Sequence, residues 1–437
     1  ANAKEIQEEM PPPALRDRQS KYLAIPMKEA EEIMKNIGKK MTKDSESVAV
    51  SQQILGKIAA NFVKSTENMP RTRVSTKDGY AIIANDGSST KTVIGVSLAG
   101  AIYDGVLQPG QCVRISTGGV VPEGSTAVVM VEHTICTKKT DDEEELEIQL
   151  KEHISTGTNI REPGSETRQG DVIVRSGTRI GSAEFGILKA FGIKNMYVFK
   201  KPVITVVSTG NELVSPDCED VPIGMIRDSN GPQLLALFNE YGFDAIDGER
   251  VSDDFESIKE KLSKILKTSD IVVTTGGVSM GEKDNIKEVL IDLGMQIQFG
   301  RVMMKPGLPC TVATGRFGTD SLKTVLALPG NPASAWVCSH LFAVPLARTI
   351  AGYAKTHHTR ITVRLAHDIK LGDRPEYVRA SLEELEDEDF PIAHVTGNQI
   401  SSNIGSLVGA NVLLIVPMKE DKESIRKNEL VKALLLR

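Results

Sequence analysis

The chain has 437 residues, enough for about two to four domains and a sizeable buried core. Its 40% hydrophobic and 25% charged residues are ordinary for a globular protein. Its 52 basic and 58 acidic residues give a formal net charge of -6, which disfavours nucleic acid as a partner of the whole surface. Any positive field must therefore be local.

The five cysteines are far apart, and the sequence contains neither a C-x-x-C pair nor a cluster of histidines. This pattern argues against a disulfide framework or a zinc site and favours a reducing compartment. No apolar run approaches membrane-spanning length, and the N-terminal residues are charged rather than signal-like. We therefore expect a cytoplasmic protein that does not insert into a membrane.

Along the chain, the pattern of secondary structure changes several times. Residues 1–20 are polar and contain three consecutive prolines, which indicates a disordered lead-in. An amphipathic helix is expected from Pro26. Short alternating runs between Thr92 and His153 then predict a small β-rich domain, in which the acidic run 141–147 is interpreted as a solvated loop tip.

Beyond Pro202, strands and helices alternate, and from about Tyr353 the pattern returns to strands. Alternation of this kind predicts a mostly parallel sheet with helices on both faces, that is, a three-layer α/β domain. Polar turns follow Val207, Val273 and Leu328. Because the carboxyl ends of parallel strands meet at one edge, where ligands of such sheets bind, we expect these turns to lie together.

The turn after Val273 is the most informative. A β-branched run leads into Gly276-Gly277 and then into a helical period, which predicts a strand, a tight turn and a helix start. Glycine lets a ligand approach the backbone, and a helix N-terminus favours an anion. Ser279 adds a hydroxyl, and Asp284 adds a carboxylate suited to a hard cation. Alternatively, the glycines only turn the chain and the two polar residues cap the helix.

Other polar segments allow two interpretations as well. Arg301 and Lys305 follow the next strand and offer two positive charges for an anionic substrate. Asp78 lies in an Asp-Gly sequence that is also an ordinary turn. Thr117, in a Thr-Gly-Gly turn, could donate to an anion or bond its own backbone. Asp253 could hold a cation, or form a capping box with Glu256.

Six motifs stand out along the chain: Lys77–Ala81, Ser208–Leu213, Ile226–Asn230, Gly276–Asp284, Met304–Gly307 and Leu328–Pro332. They occur in the order seen in molybdopterin molybdotransferases, so the chain resembles this family. The resemblance covers nearly the whole chain from about residue 22, with the gephyrin E-domain branch of the family as the most similar.

The resemblance implies an architecture that agrees with the patterns. A discontinuous linker domain (21–70 and 158–200) would bracket the β-rich domain (71–157), followed by an α/β molybdopterin-binding domain (201–352) and a C-terminal β-domain (353–437). It also implies a homodimer.

The resemblance further implies a reaction, in which molybdate is inserted into adenylylated molybdopterin and the adenylate is cleaved with release of AMP in a Mg²⁺-dependent step. By matching position, the implied catalytic residues are Asp78, Glu212, Asp253, Asp284 and Lys305. Asp253 and Asp284 would hold the Mg²⁺. The implied substrate-binding residues are Thr117, Gly276, Gly277, Ser279, Arg301, Pro329, Gly330, Asn331, Ser334, Arg374 and Ser401.

Four positions depart from the family pattern. Leu308 stands where many members carry a second lysine, and Glu166 replaces a common aspartate. Asn403 and Val408 replace two common arginines near Ser401, which bears on the anion affinity of that edge more than on the chemistry.

Two questions of partnership arise from the resemblance. A molybdopterin adenylyltransferase (G) domain, fused or separate, would be a partner of the enzyme. The alternative function is a gephyrin-like scaffold that anchors inhibitory receptors to the cytoskeleton. Lys28 and Glu31 occupy the positions of the first helix where the receptor-binding aspartate and phenylalanine are expected, so an aromatic anchor is missing. The enzyme interpretation is therefore favoured.

Overall fold

The computed structural model describes residues 22–41, 44–278, 285–318, 321–384, 386, 389–420 and 422–436. The predicted lead-in, residues 1–20, lies outside them. The elements of the first half are α1 (Met27–Lys40), β1 (Ser45–Ala49), β2 (Val63–Lys64), β3 (Val74–Ser75), β4 (Gly79–Ile82), β5 (Thr90–Ser97), β6 (Gln111–Ile115), β7 (Ala127–Met130), β8 (Thr134–Lys139), β9 (Glu145–Leu150), β10 (Ile160–Arg161), β11 (Val172–Val174), α2 (Ser182–Ala190) and β12 (Asn195–Phe199).

A linker region is built from two distant stretches of chain. Strand β1 pairs with β12 and β2 pairs with β11, both antiparallel. Ile54, Val174, Leu188 and Val198 share one buried cluster, so both stretches contribute to the same core. Helix α1 instead packs its Ala30 face into the core of the sheet domain described below.

Between the two stretches of the linker lies a six-stranded sheet of order β7-β4-β6-β5-β9-β8. Tyr80, Cys112 and Ile148 are buried in its core. The acidic run 141–147 was interpreted as a loop tip, but its second half belongs to β9. Glu145 there pairs with Arg114 of β6 at 3.2 Å, across the intervening strand β5.

The second half begins with β13 (Ile204–Thr209), β14 (Leu213–Val214), β15 (Ile226–Arg227), α3 (Asn230–Glu240), β16 (Ala245–Val251), α4 (Phe255–Ile265), β17 (Ile271–Thr275), α5 (Asn285–Asp292), β18 (Gln296–Phe299), β19 (Thr311–Arg316), β20 (Leu322–Leu328), α6 (Pro332–Cys338) and α7 (Val344–Ile350). The main sheet has the order β16-β13-β17-β20-β19-β18. Its first four strands are parallel, and β19 is antiparallel to both neighbours.

Helices cover both faces of this sheet. Successive residues of a strand point to opposite faces, so Val206 packs with α3 and α6 whereas Val207 packs with α4 and α5. The three-layer arrangement predicted from the alternating pattern is confirmed. It places every loop after a parallel strand at one edge of the sheet.

The C-terminal strands are β21 (Thr359–Leu365), β22 (Ile369–Lys370), β23 (Glu376–Glu383), β24 (Ile392–Val395), β25 (Val412–Val416), β26 (Ser424–Ile425) and β27 (Leu430–Leu435). Five of them close into a barrel of order β21-β24-β23-β25-β27. Val378 and Leu414 fill the barrel, whereas Tyr377 and Leu413 face outward and join the core of the sheet domain. The predicted α/β plus β fold class is thus confirmed, and the barrel is fixed against the sheet.

Within the described part of the chain, every helix is too short or too polar to cross a membrane.

Candidate functional site

The candidate site lies at the carboxyl edge of the parallel strands. From β13 the chain passes to β16 on one side and then to β17 on the other, so the strand order reverses between β13 and β17. In open α/β sheets a crevice forms outside the strand ends at such a reversal, and ligands bind there. We therefore place the candidate crevice between the loop after Thr209 and the loop after Thr275.

Gly276 and Gly277 bring these two loops into close contact. Both have left-handed backbone angles, with φ of 87° and 69°, and a side chain at Gly276 would collide with the Thr209 carbonyl oxygen. The Gly276 N–H does not face an anion, because it donates to the Leu328 carbonyl at 3.0 Å. The expectation that the Gly276 N–H is exposed to a ligand was therefore wrong. This glycine serves close packing of three strand ends.

Asp253 lies beside this turn, its Oδ1 3.5 Å from the position that a Gly277 Cβ would take. The capping alternative for Asp253 is wrong, because Asp254 is the N-cap of α4 and accepts from Ser257 N at 2.9 Å. The Asp253 backbone is held by two amides: its N–H donates to Asn211 Oδ1 at 3.0 Å, and its carbonyl accepts from Asn285 Nδ2 at 2.9 Å. The carboxylate is thus oriented without serving as a cap.

Glu212 contributes a second carboxylate to the same edge. Its side chain is exposed and lies over Gly210, where a Cβ would approach Oε1 to 2.7 Å. The residues described include no group of three or more His, Cys, Asp or Glu side chains that could enclose a metal ion. A cation here would therefore need oxygen atoms from a ligand or from water as well.

The loop after β20 joins the crevice to the barrel. Gly330 packs 3.4 Å from Gly276, measured from its ideal Cβ position, and its carbonyl accepts from Asn230 Nδ2 at 2.7 Å. Asn331 Nδ2 donates to Ser401 Oγ at 3.0 Å. Ser401 thereby reaches the edge of the sheet. Pro329 and Ser334 lie buried in the same loop and helix start.

The positive charges collect beside the barrel. Lys305 Nζ lies 3.2 Å from Glu376 Oε1, and Arg374 Nη1 donates to the Met304 carbonyl at 3.3 Å. Arg301 is half-buried, and its carbonyl accepts from Ile25 N. The loop bearing Lys305 and the nearby residues Arg374 and Glu376 thus form one positively charged surface region that includes a carboxylate.

Asp78 and Thr117 form a separate pair within the β-rich sheet. The Thr117 N–H donates to Asp78 Oδ1 at 2.9 Å, and both side chains are exposed. The neighbouring Gly118 N–H donates to the Ser75 carbonyl of the same domain at 2.8 Å. The structure therefore places this pair on the β-rich domain and not among the residues of the sheet edge.

Two predicted residues, Ser279 and Asp284, lie outside the described residues, so their roles stay predictions.

Sequence reasoning missed three residues of the site region. Asn230 was part of a quoted motif, yet its contact with Gly330 could not be read from the sequence because the two are 100 positions apart. Glu376 and Arg379 both lie in β23, where strand propensity carries no sign of a polar role. Their proximity to the loop after Arg301 and to Ser401 arises from barrel packing.

Three family descriptions match successive parts of the chain. The MoeA N-terminal region (domain I and II) matches residues 25–192, the probable molybdopterin binding domain matches 205–349, and the MoeA C-terminal region (domain IV) matches 362–436.

Similar proteins and a solved structure agree with these three family matches. The chain is 34% identical to the gephyrin of Dictyostelium discoideum over 96% of its own length and 63% of that protein, so it spans less than two thirds of that relative. It is 33% identical to the molybdopterin molybdenumtransferase of Nostoc sp. over 86% of each chain. The crystal structure of the molybdopterin biosynthesis moeA protein from Pyrococcus horikoshii is similar, with a TM-score of 0.78, 26% identity, and coverage of 94% of this chain and 100% of that one. As its six motifs predicted, the chain belongs to the MoeA family of molybdopterin molybdenumtransferases, a family of molybdenum cofactor biosynthesis.

Proposed function

We propose that the protein inserts molybdate into adenylylated molybdopterin and cleaves the adenylate, releasing AMP. The observation that carries this proposal is the position of Asp253, which lies against Gly277 where the strand order reverses between β13 and β17. Family membership supplies the substrate class. The crevice supplies the carboxylate of Asp253, a residue whose backbone is fixed by two hydrogen bonds and which does not cap α4.

A magnesium ion fits this edge of the sheet. Mg²⁺ in phosphate-transfer sites is held by one or two carboxylates together with substrate phosphate oxygens and water. Asp253 offers such a carboxylate, and Asp284 is assigned the second by the sequence resemblance. When bound, the ion would offset the charge that develops as the phosphate link breaks.

The protein's own residues bind and orient the substrate. Gly276 and Gly330 let the strand ends pack closely and so fix the loops that surround the bound substrate. Lys305, Arg301 and Arg374 offset anionic charge beside the barrel. Ser334, Arg374 and Ser401 match positions that line the molybdate site in plant relatives, and we propose that they bind molybdate here. Glu212 holds a carboxylate over Gly210, where it can accept a hydrogen bond from substrate.

The catalytic assignment is tested with adjacent carboxylates. Asp253→Asn should slow single-turnover AMP release by a factor of about 100 or more while adenylylated molybdopterin still binds, because the lost charge acts mainly in the transition state. Asp254→Asn is the matched control, since asparagine also caps a helix, and it should stay within about twofold. Asp284→Ala is expected to behave like Asp253→Asn. Normal turnover by Asp253→Asn would show that the assignment is wrong.

We further propose a homodimer. Asp78 and Thr117 are matched to family site positions but bond to each other on the β-rich domain, which is compatible with a site completed across two chains. Light scattering at micromolar concentration tests this, and a monomer alone would contradict it.

The cytoplasm is the proposed location, supported by five cysteines that are all free thiols. A molybdopterin adenylyltransferase domain, on this or another chain, is proposed to supply the substrate. The receptor-scaffold alternative gains no support from the first helix, where Glu31 faces Arg360 of the barrel at 3.8 Å.

A further inference from the structure

Arg379 is a buried cation at the boundary between barrel and sheet domain. It belongs to β23, is fully inaccessible to solvent, and has no carboxylate within ion-pair distance among the described residues. Burial lowers the pKa of its guanidinium to about 10, an effect that nearby Glu376 opposes. Burying a charge without a paired counter-ion is costly. A residue retained at that cost is a candidate for a specific role.

The side chain of Arg379 holds one segment of the barrel. Its Nη2 donates to the Ile400 carbonyl at 3.4 Å and to Ser406 Oγ at 2.9 Å, and its Nε also donates to Ser406 Oγ, at 3.2 Å. Its backbone N–H donates to Gln399 Oε1 at 2.9 Å. The contacts span the segment 399–406 from one end to the other.

This segment has little apolar anchoring of its own. Ile400 is 55% exposed and Ile404 is 44% exposed, whereas Ser406 is buried and is held by Arg379. A loop that buries few apolar groups is ordered mainly by its hydrogen bonds. Arg379 therefore supplies part of the hydrogen bonding that orders the segment, together with the bond from Thr396 Oγ1 to the Ser406 carbonyl at 2.6 Å.

The same segment contacts the candidate site on its other side. Ser401 Oγ accepts from Asn331 Nδ2 at 3.0 Å, and the Ser401 carbonyl accepts from Ala333 N at 3.1 Å. Asn331 and Ala333 lie where β20 passes into α6, next to Gly330 and the glycine crevice. A shift of the segment would therefore move Ser401 away from the sheet edge.

We propose that Arg379 is a positioning residue, which fixes the segment 399–406 so that Ser401 is held at the sheet edge for anion binding. The part concerning molybdate rests on the proposed function. The part concerning the segment does not. Arg379 Nη1 is buried without a hydrogen-bond partner among the described residues. We assign it no contact with the substrate.

The test uses the full chain with Arg379→Met and Arg379→Lys, and Val378→Ala as control. Val378 is the neighbouring residue of β23, but it faces the barrel interior, so its truncation weakens the barrel without touching the segment. Hydrogen exchange without ligand should become faster at residues 399–406 in Arg379→Met and stay unchanged there in Val378→Ala. Unchanged exchange in Arg379→Met overturns the proposal.

Kinetics test the link to Ser401. Arg379→Met should raise the half-saturating molybdate concentration about tenfold with the maximal single-turnover rate within about twofold, and Arg379→Lys should recover part of the loss. In the Ser401→Ala background, Arg379→Met should raise the half-saturating molybdate concentration almost no further. If the increases caused by the two substitutions multiply instead, Arg379 does not act through Ser401. If wild-type turnover does not depend on molybdate, the proposed function fails, and hydrogen exchange still decides the positioning role.

Discussion

Lys305 and Glu376 join two domains of the protein through one ion pair. Lys305 Nζ lies 3.2 Å from Glu376 Oε1, and backbone hydrogen bonds from Lys305 N to Pro375 O and from Tyr377 N to Lys305 O flank the pair. The Glu376 side chain is 9% exposed, whereas that of Lys305 is 46% exposed. The Lys305 ammonium is therefore accessible to an anion from solvent, whereas the Glu376 carboxylate is buried behind it.

Lys305→Met should weaken binding of adenylylated molybdopterin, and more strongly at low salt where screening is small. It should also cost about 1–2 kcal/mol of stability, because Glu376 is left buried without its cation. Adding Glu376→Gln should restore most of the stability but not the binding. Titration calorimetry and urea unfolding separate the two effects. If the double variant regains binding, Lys305 does not act on the ligand.

Glu376→Gln alone should strengthen anion binding severalfold, since it removes a negative charge beside Lys305. The measurement is the dissociation constant at two salt concentrations. Weaker binding would mean instead that the carboxylate is needed to orient the lysine.

Gly276→Ala should destabilise the protein by about 3 kcal/mol or more, because a side chain there adds a collision with Thr209 to an unfavourable positive φ. Gly294→Ala is the matched control. Gly294 has φ of 76° but no atom within 4 Å of its Cβ position, so only the backbone strain of about 1 kcal/mol applies. Equal losses in chemical denaturation would refute the close-packing role of Gly276.

The thermal stability should decrease as the pH is lowered, because of His358. Burial, with Arg348 nearby, lowers the pKa of His358 to about 4 from 6.5. Its Nε2 lies 3.3 Å from His340 Nδ1. As pH falls, the unfolded chain takes up a proton at about pH 6.5 and the folded protein only near pH 4, so stability is lost across that window, by at most roughly 3 kcal/mol.

Melting temperatures between pH 4.5 and 7.5 check this. His358→Phe should remove the uptake of roughly one proton from the pH dependence of stability and so flatten the profile. A wild-type slope in His358→Phe would assign the pH dependence to other groups.

The acidic run should divide into a dispensable and a structural half. Replacing residues 141–144 by Asn-Gly should change the melting temperature by less than about 2 °C, because this part is an exposed turn. Glu145→Ala should cost about 1 kcal/mol, since Glu145 pairs with Arg114 at 3.2 Å. Differential scanning calorimetry of both variants decides, and equal losses would contradict the division.

The sequence by itself determined the elements whose signal is local. The apolar strands ending at Val207, Val273 and Leu328, the glycine turns behind them and the motif order sufficed to predict a parallel sheet, one functional edge and the family. Periodicity and turn chemistry act over a few residues, so they can be read from one chain.

Only the tertiary structure decided which polar groups meet. Capping of α4 by Asp254 and not Asp253 depends on the backbone angles at the start of the helix, which tertiary contacts set. The Gly276 N–H is occupied because β20 lies next to β17. Glu376 and Arg379 gained their roles because the barrel closes and packs its outer face on the sheet domain. Such contacts join residues up to a hundred positions apart, and no local propensity encodes them.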